Sequence, residues 1–446
     1  MAENEQIDSA LFSRLMGSFA PFESRATIAV GVSGGIDSMV LMFLMDEWCR
    51  ACDFRAVGLI VDHGLRAESA QEARFVAKVL RDRGIDAHIL SCPPTPAVTS
   101  NKQAWARHHR YTLLDQWCLA NDVAHLAVAH HQDDQFETFF LRLARGSGVY
   151  GLSAMAAERF LPSVRLLRPL LSIERARLVA TAQRLSLTDR LVCDPSNTDG
   201  HYARTRIRQH IDGLAQEGLS PKRLSRTISA LARARATLEK QLCQWTEQFV
   251  RVYPSGYSRL LQGALNSDDE VRLQGLGRVL RMISGTLFMP RLTRLQRLDN
   301  TLRTSPTLTT LTLHGCLVRG DSRQGWLVMR EPAHAYDYAT QQTTHNKKVL
   351  LWDGRFKVVT PQGDSPQGGL VCRALQEEGR LIIRKNKASA RHLNPNVPAQ
   401  VYRSHPSLWQ QDQLKVAFNA EGQGFYVDDG KPCQASMTFC PICSMT

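Results

Sequence analysis

Thr27-Ile28-Ala29-Val30-Gly31-Val32 runs straight into Ser33-Gly34-Gly35-Ile36-Asp37-Ser38, an apolar run followed at once by a pair of glycines. The first six residues are small, apolar or β-branched, which reads as a buried strand. The two glycines after Ser33 let the backbone turn tightly and leave N–H groups open to an anion. Asp37 to Cys49 reads as a helix, whose N-terminus adds the positive end of its dipole at the same point. Ser33, Gly34, Gly35, Ile36, Asp37 and Ser38 are therefore candidates for a phosphate cradle. The turn has no lysine, so it is not a GxxxxGK[ST] loop. Asp37 cannot itself favour a phosphate; it stands either beside a magnesium ion or as a helix cap. The bland alternative is a strand–helix turn with no ligand.

The alternation continues beyond this helix. Arg55 to Val61, Asp86 to Ser91 and Val123 to Ala129 read as further strands. Helices are expected near residues 69–83, 104–121 and 133–144. Strands separated by helices of this length imply right-handed crossovers and a parallel sheet with helices on both faces, an α/β fold. Ligands of such sheets sit beyond the carboxyl ends of the strands. The residues there are Val61-Asp62-His63-Gly64-Leu65-Arg66 after the second strand and His130-His131-Gln132-Asp133-Asp134-Gln135-Phe136-Glu137 after the fourth. Asp134 and Glu137 stand three apart at a helix start, so they share a face, where two carboxylates can hold an amine or simply complement the helix dipole. Asp133 is a weaker third, or a cap. His130 and His131 face the same crevice, where an imidazole could touch a phosphate or take a proton. A structural histidine is as common an outcome.

Beyond about residue 213 the texture changes. Leu224, Ile228, Leu231, Leu238, Leu242, Trp245 and Phe249 recur at helical spacing and predict one long amphipathic helix. Two more helices are expected near 268–284 and 291–303. From about 308 short alternating runs suggest small strands, and His334–Lys348 reads as a polar linker. The expected order is thus an α/β domain over 1–213, a mainly helical domain over 214–333, and a linker with a small mixed C-terminal domain over 334–446.

Of the 446 residues, 43% are hydrophobic and 22% charged, ordinary values that exclude disordered, collagenous and coiled-coil classes. Lys and Arg exceed Asp and Glu by 55 to 42, a formal charge of +13 that favours a polyanionic partner. Residues 201–240 hold nine Lys/Arg against three Asp/Glu, a local excess of six. Arg204, Arg206, Arg208, Lys222 and Arg223 belong to that segment, which reads as a phosphate-tracking surface or as a solvated helix face. No apolar run spans a bilayer, the start Met1-Ala2-Glu3-Asn4-Glu5 does not resemble a signal peptide, and eleven scattered cysteines do not suggest a disulfide framework. A cytoplasmic protein without a membrane partner is expected. Cys440-Pro441-Ile442-Cys443, with Cys433 upstream, has the spacing of only half a zinc site.

The motif SGGxDS after a first strand resembles the PP-loop of the ATP pyrophosphatases, which cleave ATP between the α and β phosphates. Further along come Ala106-Arg107, Arg110-Tyr111, Arg145-Gly146-Ser147-Gly148, Arg168-Pro169-Leu170-Leu171, Asp194-Pro195-Ser196-Asn197 and Arg204-Thr205-Arg206. From about residue 26 to 210 this ordered set resembles the tRNA(Ile)-lysidine synthetase family. The resemblance implies an adenine nucleotide alpha hydrolase-like fold and ATP with Mg²⁺. It also implies ligation of free L-lysine to the wobble cytosine of tRNA(Ile) with a CAU anticodon, through an adenylated tRNA. On that reading Ser33 to Ser38 and His63 bind ATP, and Asp37 holds the Mg²⁺. Asp134 and Glu137 bind lysine, Asp37, His130 and Arg145 are catalytic, and the basic segment binds tRNA. A homodimer is admitted but not implied. The rivals are a tRNA thiolation enzyme, which needs cysteines in the crevice, a small-molecule amide ligase such as an NAD synthetase-like enzyme, and an RNA-binding protein without turnover.

Overall fold

β1 (Thr27–Val32) occupies the interior of a six-stranded sheet of order β3-β2-β1-β4-β6-β5. Its partners β2 (Arg55–Asp62) and β4 (His125–Ala127) both run parallel to it. β3 (Asp86–Ser91) adds in parallel outside β2, and β6 (Arg165–Leu167) outside β4. β5 (Glu158–Phe160) closes the edge antiparallel to β6. The computed structural model describes residues 6–64, 68–92, 102–192, 217–304, 310–321, 325–338, 342–343, 349–360, 370–410 and 412–441. The chain divides into two compact units, Met1–Ala236 and Thr237–Thr446.

In the first unit, α1 (Ser9–Gly17) precedes β1. α2 (Ile36–Ala51), α3 (Ser69–Arg81) and α4 (Lys102–Ala120) follow the first three strands in turn. α2 is apolar on nearly every side, and residues 38–46 are all buried. A helix with no polar face must be covered all round: it packs on β1 and β2 and against α1 and α7 (Arg175–Arg184). The expected strands and helices of residues 27–144 are present within about three residues of the expected ends, with α5 (Gln132–Leu143) in the last place. α1, α6 (Val149–Leu152), β5 and β6 had no strong periodic signal, because each is short or is buried by its neighbours.

The chain passes from β1 to β2 to β3 on one side of β1 and returns to β4 on its other side. The β1 and β4 connections therefore diverge at their carboxyl ends and leave a crevice between them.

A long helix, Pro221–Phe249, continues into the second unit. Its early apolar residues Leu224, Ile228 and Leu231 pack with Phe136 and Phe139 of α5 in the first unit. Among its described residues the second unit carries the helices Asp269–Ser284 and Leu292–Thr304 and two antiparallel sheets, of five and eight strands. Residues 214–333, expected as mainly helical, thus also hold a whole sheet. Val250–Tyr253 and Tyr257–Leu260 form a hairpin around Gly256 at φ +72°, too short for its alternation to stand out. The expected linker His334–Lys348 is not a plain linker either: Pro332–Tyr338 is helical, with Ala335 buried, and Gln342–Thr343 pairs with Val371–Cys372. Among the described residues no helix is long and apolar enough to cross a membrane.

Candidate functional site

Gly34 sits at φ +83°, a conformation natural only to glycine, and a Cβ there would lie 2.7 Å from Val76 Cγ2 and 2.9 Å from Val192 Cγ2. Ser38 ties the turn together. Its Oγ receives the Ser33 N–H at 3.1 Å and donates to the Gly35 carbonyl at 2.9 Å. The Ser33 N–H is therefore occupied. The anion-binding capacity rests on the N–H groups of Ile36, Asp37 and Ser38, which precede the first intrahelical bond, Met39 N–H to Gly35 O at 3.0 Å. Gly35 is the N-cap and has no side chain to compete for them.

Across the crevice, α5 begins with a reciprocal cap. The Asp133 N–H donates to His131 Nδ1 at 3.3 Å, and the His131 N–H donates to Asp134 Oδ2 at 3.0 Å. Because Nδ1 is an acceptor, the neutral His131 ring carries its proton on Nε2. That atom lies 3.6 Å from Asp37 Oδ2 and 3.8 Å from Asp134 Oδ2. His131 is 2% exposed, so it acts as a fixed wedge between the two carboxylates. The expected third carboxylate, Asp133, contributes its backbone to this cap. Asp134, expected to hold an amine, already accepts the cap hydrogen bond with one oxygen. Glu137, one turn further, is 2% exposed.

His130 is half-buried, and its Nδ1 accepts from Arg168 Nε at 3.3 Å. Arg168, directly after β6, is buried and also donates to the Ala156 carbonyl at 2.8 Å. Burial lowers its pKa, Tyr111 works against this, and Arg159 and Arg107 add to it. Arg107 lies over the Tyr111 ring at 5.3 Å. His63, after β2, has its pKa lowered by burial first and by Arg110 next, with Asp62 opposing and His109 adding. Burial likewise lowers Arg110. Thus the half-buried Arg110 of α4 and the buried Arg168 place positive charge at this end of the sheet, suited to a nucleotide anion, with Arg107 exposed over Tyr111. Sequence reading noted these residues but gave them no role, and it gave none to Arg168. The available signal was its place immediately after a strand.

Other sequence candidates lie apart. Arg145 is exposed beyond the C-terminus of α5, about 16 Å along the helix axis from Asp134. Lys222 and Arg223 are exposed on the long helix, and Arg223 Nη1 donates to the Gly218 carbonyl at 2.8 Å. Arg66, Cys193, Asp194 to Asn197, Arg204, Thr205, Arg206, Arg208 and Cys443 lie outside the described residues. One cysteine missed by sequence reading does stand at a strand end: Cys92 Sγ is 3.6 Å from His63 Nδ1. Burial and Asp62 raise its pKa, which keeps the thiol protonated. Among the described residues no three His, Cys, Asp or Glu side chains form a metal cage.

The family model of the PP-loop domain matches residues 7–213. The chain is 34% identical to the tRNA(Ile)-lysidine synthase of Wolbachia sp. subsp. Brugia malayi, covering 78% of this chain and 79% of that protein. It is 33% identical to the tRNA(Ile)-lysidine synthase of Ruegeria pomeroyi, over 87% of this chain and 88% of the relative. It is also 36% identical to that of Novosphingobium aromaticivorans, over 76% of this chain and 99% of the relative.

Proposed function

Because the chain belongs to the tRNA(Ile)-lysidine synthase family, we propose that it uses ATP to join L-lysine to C2 of the wobble cytosine in the CAU anticodon of tRNA(Ile), releasing AMP and pyrophosphate. The observation that carries this reading is the meeting of Asp37, His131 and Asp134 beside the glycine turn, in the crevice between the β1 and β4 ends. An anion cradle on one wall and carboxylates on the other suit a reaction that separates pyrophosphate from a nucleotide and then admits an amine.

In the first step the C2 oxygen of cytosine attacks the α-phosphorus of ATP and the α–β bridge breaks. The pyrophosphate departs onto the N–H groups of Ile36, Asp37 and Ser38. Asp37 would hold Mg²⁺, which would supply neutralisation of the phosphate charge. Arg168 and Arg110 supply fixed positive charge at the strand ends, and His130 is steered by Arg168. In the second step the lysine ε-amine attacks C2, the C2–O bond breaks, and AMP leaves. Asp134 and Glu137 orient the amine and take its proton. The cytosine reaches the crevice unstacked, as anticodon loops permit. Residues 1–213 carry the chemistry, 214–333 face the tRNA with Lys222 and Arg223, and 334–446 form an accessory part.

The test is incubation with labelled lysine, ATP and tRNA, following label in RNA and release of AMP. Incorporation should require all three, and pyrophosphate release should vanish in Asp37→Ala. Label transfer without ATP, or sulfur rather than lysine in the product, would remove the reading. A small-molecule amide ligase would turn over without RNA.

A further inference from the structure

A cavity of about 810 Å³ lies within the second unit and has no part in the chemistry above. The helix Leu292–Thr304 forms one wall, with Arg294 and Arg297 on it; the strand β9 (Thr310–Leu313) and the turn His314-Gly315 form another. Arg294 and Arg297 are one turn apart on one face, about 5 Å along the axis, and both are exposed. Arg291 lines a smaller cavity that shares Arg294, Leu313 and His314 with the larger one. The only acid in that helix, Asp299, is committed to Arg272 at 2.7 Å, and the one acid lining the cavity, Glu331, lies 3.0 Å from His334 Nδ1. No ion pair among the described residues joins Arg291, Arg294 or Arg297 to a carboxylate. Three uncompensated guanidinium groups thus lie along one groove.

Beside them stands an aromatic side chain with nothing over it. Phe288 is 78% exposed, with Leu287, Met289 and Leu292 also exposed around it. Its backbone is nevertheless fixed: His314 Nε2 lies 2.9 Å from the Phe288 carbonyl and 2.7 Å from Thr286 Oγ1. His314 and Gly315 both have positive φ, +58° and +71°, as the tight turn between β9 and β10 (Cys316–Asp321) demands. A rigid turn therefore buttresses an exposed ring next to a row of cations. Apolar surface of this kind is costly to leave in water and marks a site of contact. Aromatic ring plus tracking cations is the arrangement that binds unpaired nucleic acid, with a base on the ring and phosphates along the charges.

We propose that this groove binds an unpaired stretch of RNA, a base stacking on Phe288 and phosphates following Arg291, Arg294 and Arg297. It is a contact separate from the crevice where a cytosine reacts, and it holds whatever that crevice does. The test uses the full chain and a fluorescein-labelled unpaired pentaribonucleotide, followed by anisotropy across a salt series. Phe288→Ala should weaken binding about 5- to 100-fold, the range of one stacked base, and Phe288→Trp should restore it. Arg294→Glu with Arg297→Glu should flatten the slope of log K against log salt by about 1.4, the loss of two single-strand phosphate contacts. Melting temperature should match the parent in each variant. Affinity unchanged in Phe288→Ala overturns the proposal. So does a changed sedimentation coefficient in place of changed RNA affinity, which would make the face a contact between copies. Loss of binding to phosphatidylglycerol vesicles with RNA affinity intact would overturn it too. Failure to incorporate lysine would sink the reading of the crevice and leave these affinities as they are.

Discussion

His131 divides its two ring nitrogens between structure and chemistry. Nδ1 takes the Asp133 N–H and caps α5, while Nε2 faces Asp37 and Asp134. The two roles separate by substitution. Asn at this position is a good N-cap but has no group reaching the carboxylates, so His131→Asn should melt near the parent while pyrophosphate release slows about 10- to 100-fold, the usual cost of losing a side chain that orients a site. His131→Ala should slow release similarly and also lose about 1 kcal/mol of stability, read by chemical denaturation. Equal activity in His131→Asn and the parent would leave the ring as a cap only. A second buried histidine gives a pH prediction. His405 is 1% exposed, its Nε2 lies 2.9 Å from the Ser255 carbonyl, and burial lowers its pKa to about 4. The folded pKa lies below the unfolded value, so the unfolded chain takes the proton first as pH falls. The stability from keeping this ring neutral is present above about pH 6.5 and lost progressively between there and about pH 4, at most about 3 kcal/mol. In His405→Gln the denaturation free energy should fall less across that window; an unchanged slope would assign the acid sensitivity elsewhere.

At the scale of elements, the strand–turn–helix unit of residues 27–51 has a stringent requirement at one position. Gly34→Ala would place a methyl against Val76 and Val192 in a conformation that costs an L-residue about 1–2 kcal/mol, so the turn must open. Pyrophosphate release should fall below one-tenth of the parent's, with the mutant still folded by circular dichroism; normal release would mean that the cradle lies elsewhere. This unit was legible in the sequence because buried strand, paired glycines and following helix are all local signals. Asp37 and Asp134 were legible for the same reason, each standing directly after a strand. What joins them was not: the wedge of His131 between two carboxylates depends on β1 pairing with β4, nearly a hundred residues apart. The resemblance put His130 among the catalytic residues, but nothing local in the sequence distinguishes the two adjacent histidines. In space, His130 is steered by Arg168 and His131 by the start of α5. The hairpins of the second unit were hidden for a different reason. Strands of four residues carry two alternations at most, too few to separate from a buried turn.

At the scale of the molecule, the two units have their own cores, one around α2 and β1 and one around the helix Asp269–Ser284. The second unit depends on a buried ionic joint between its sheets. Arg330, ending β11 (Gly325–Arg330), meets Asp353 at 2.8 and 3.0 Å, and Arg355 meets the same carboxylate at 2.8 Å before donating to the Ser404 carbonyl at 2.9 Å. All three are buried, and burial holds the Arg355 pKa down to about 10 despite the carboxylate beside it. Two guanidinium groups share one acid, so removing that acid strands two buried cations and should cost about 3–5 kcal/mol. For a unit of this size the loss corresponds to a melting shift on the order of 10 °C. Because the first unit's core contains none of these residues, Asp353→Ala should split the calorimetric trace, lowering one transition and leaving the other in place. A single transition that moves as one would mean that the units stand or fall as a single cooperative body.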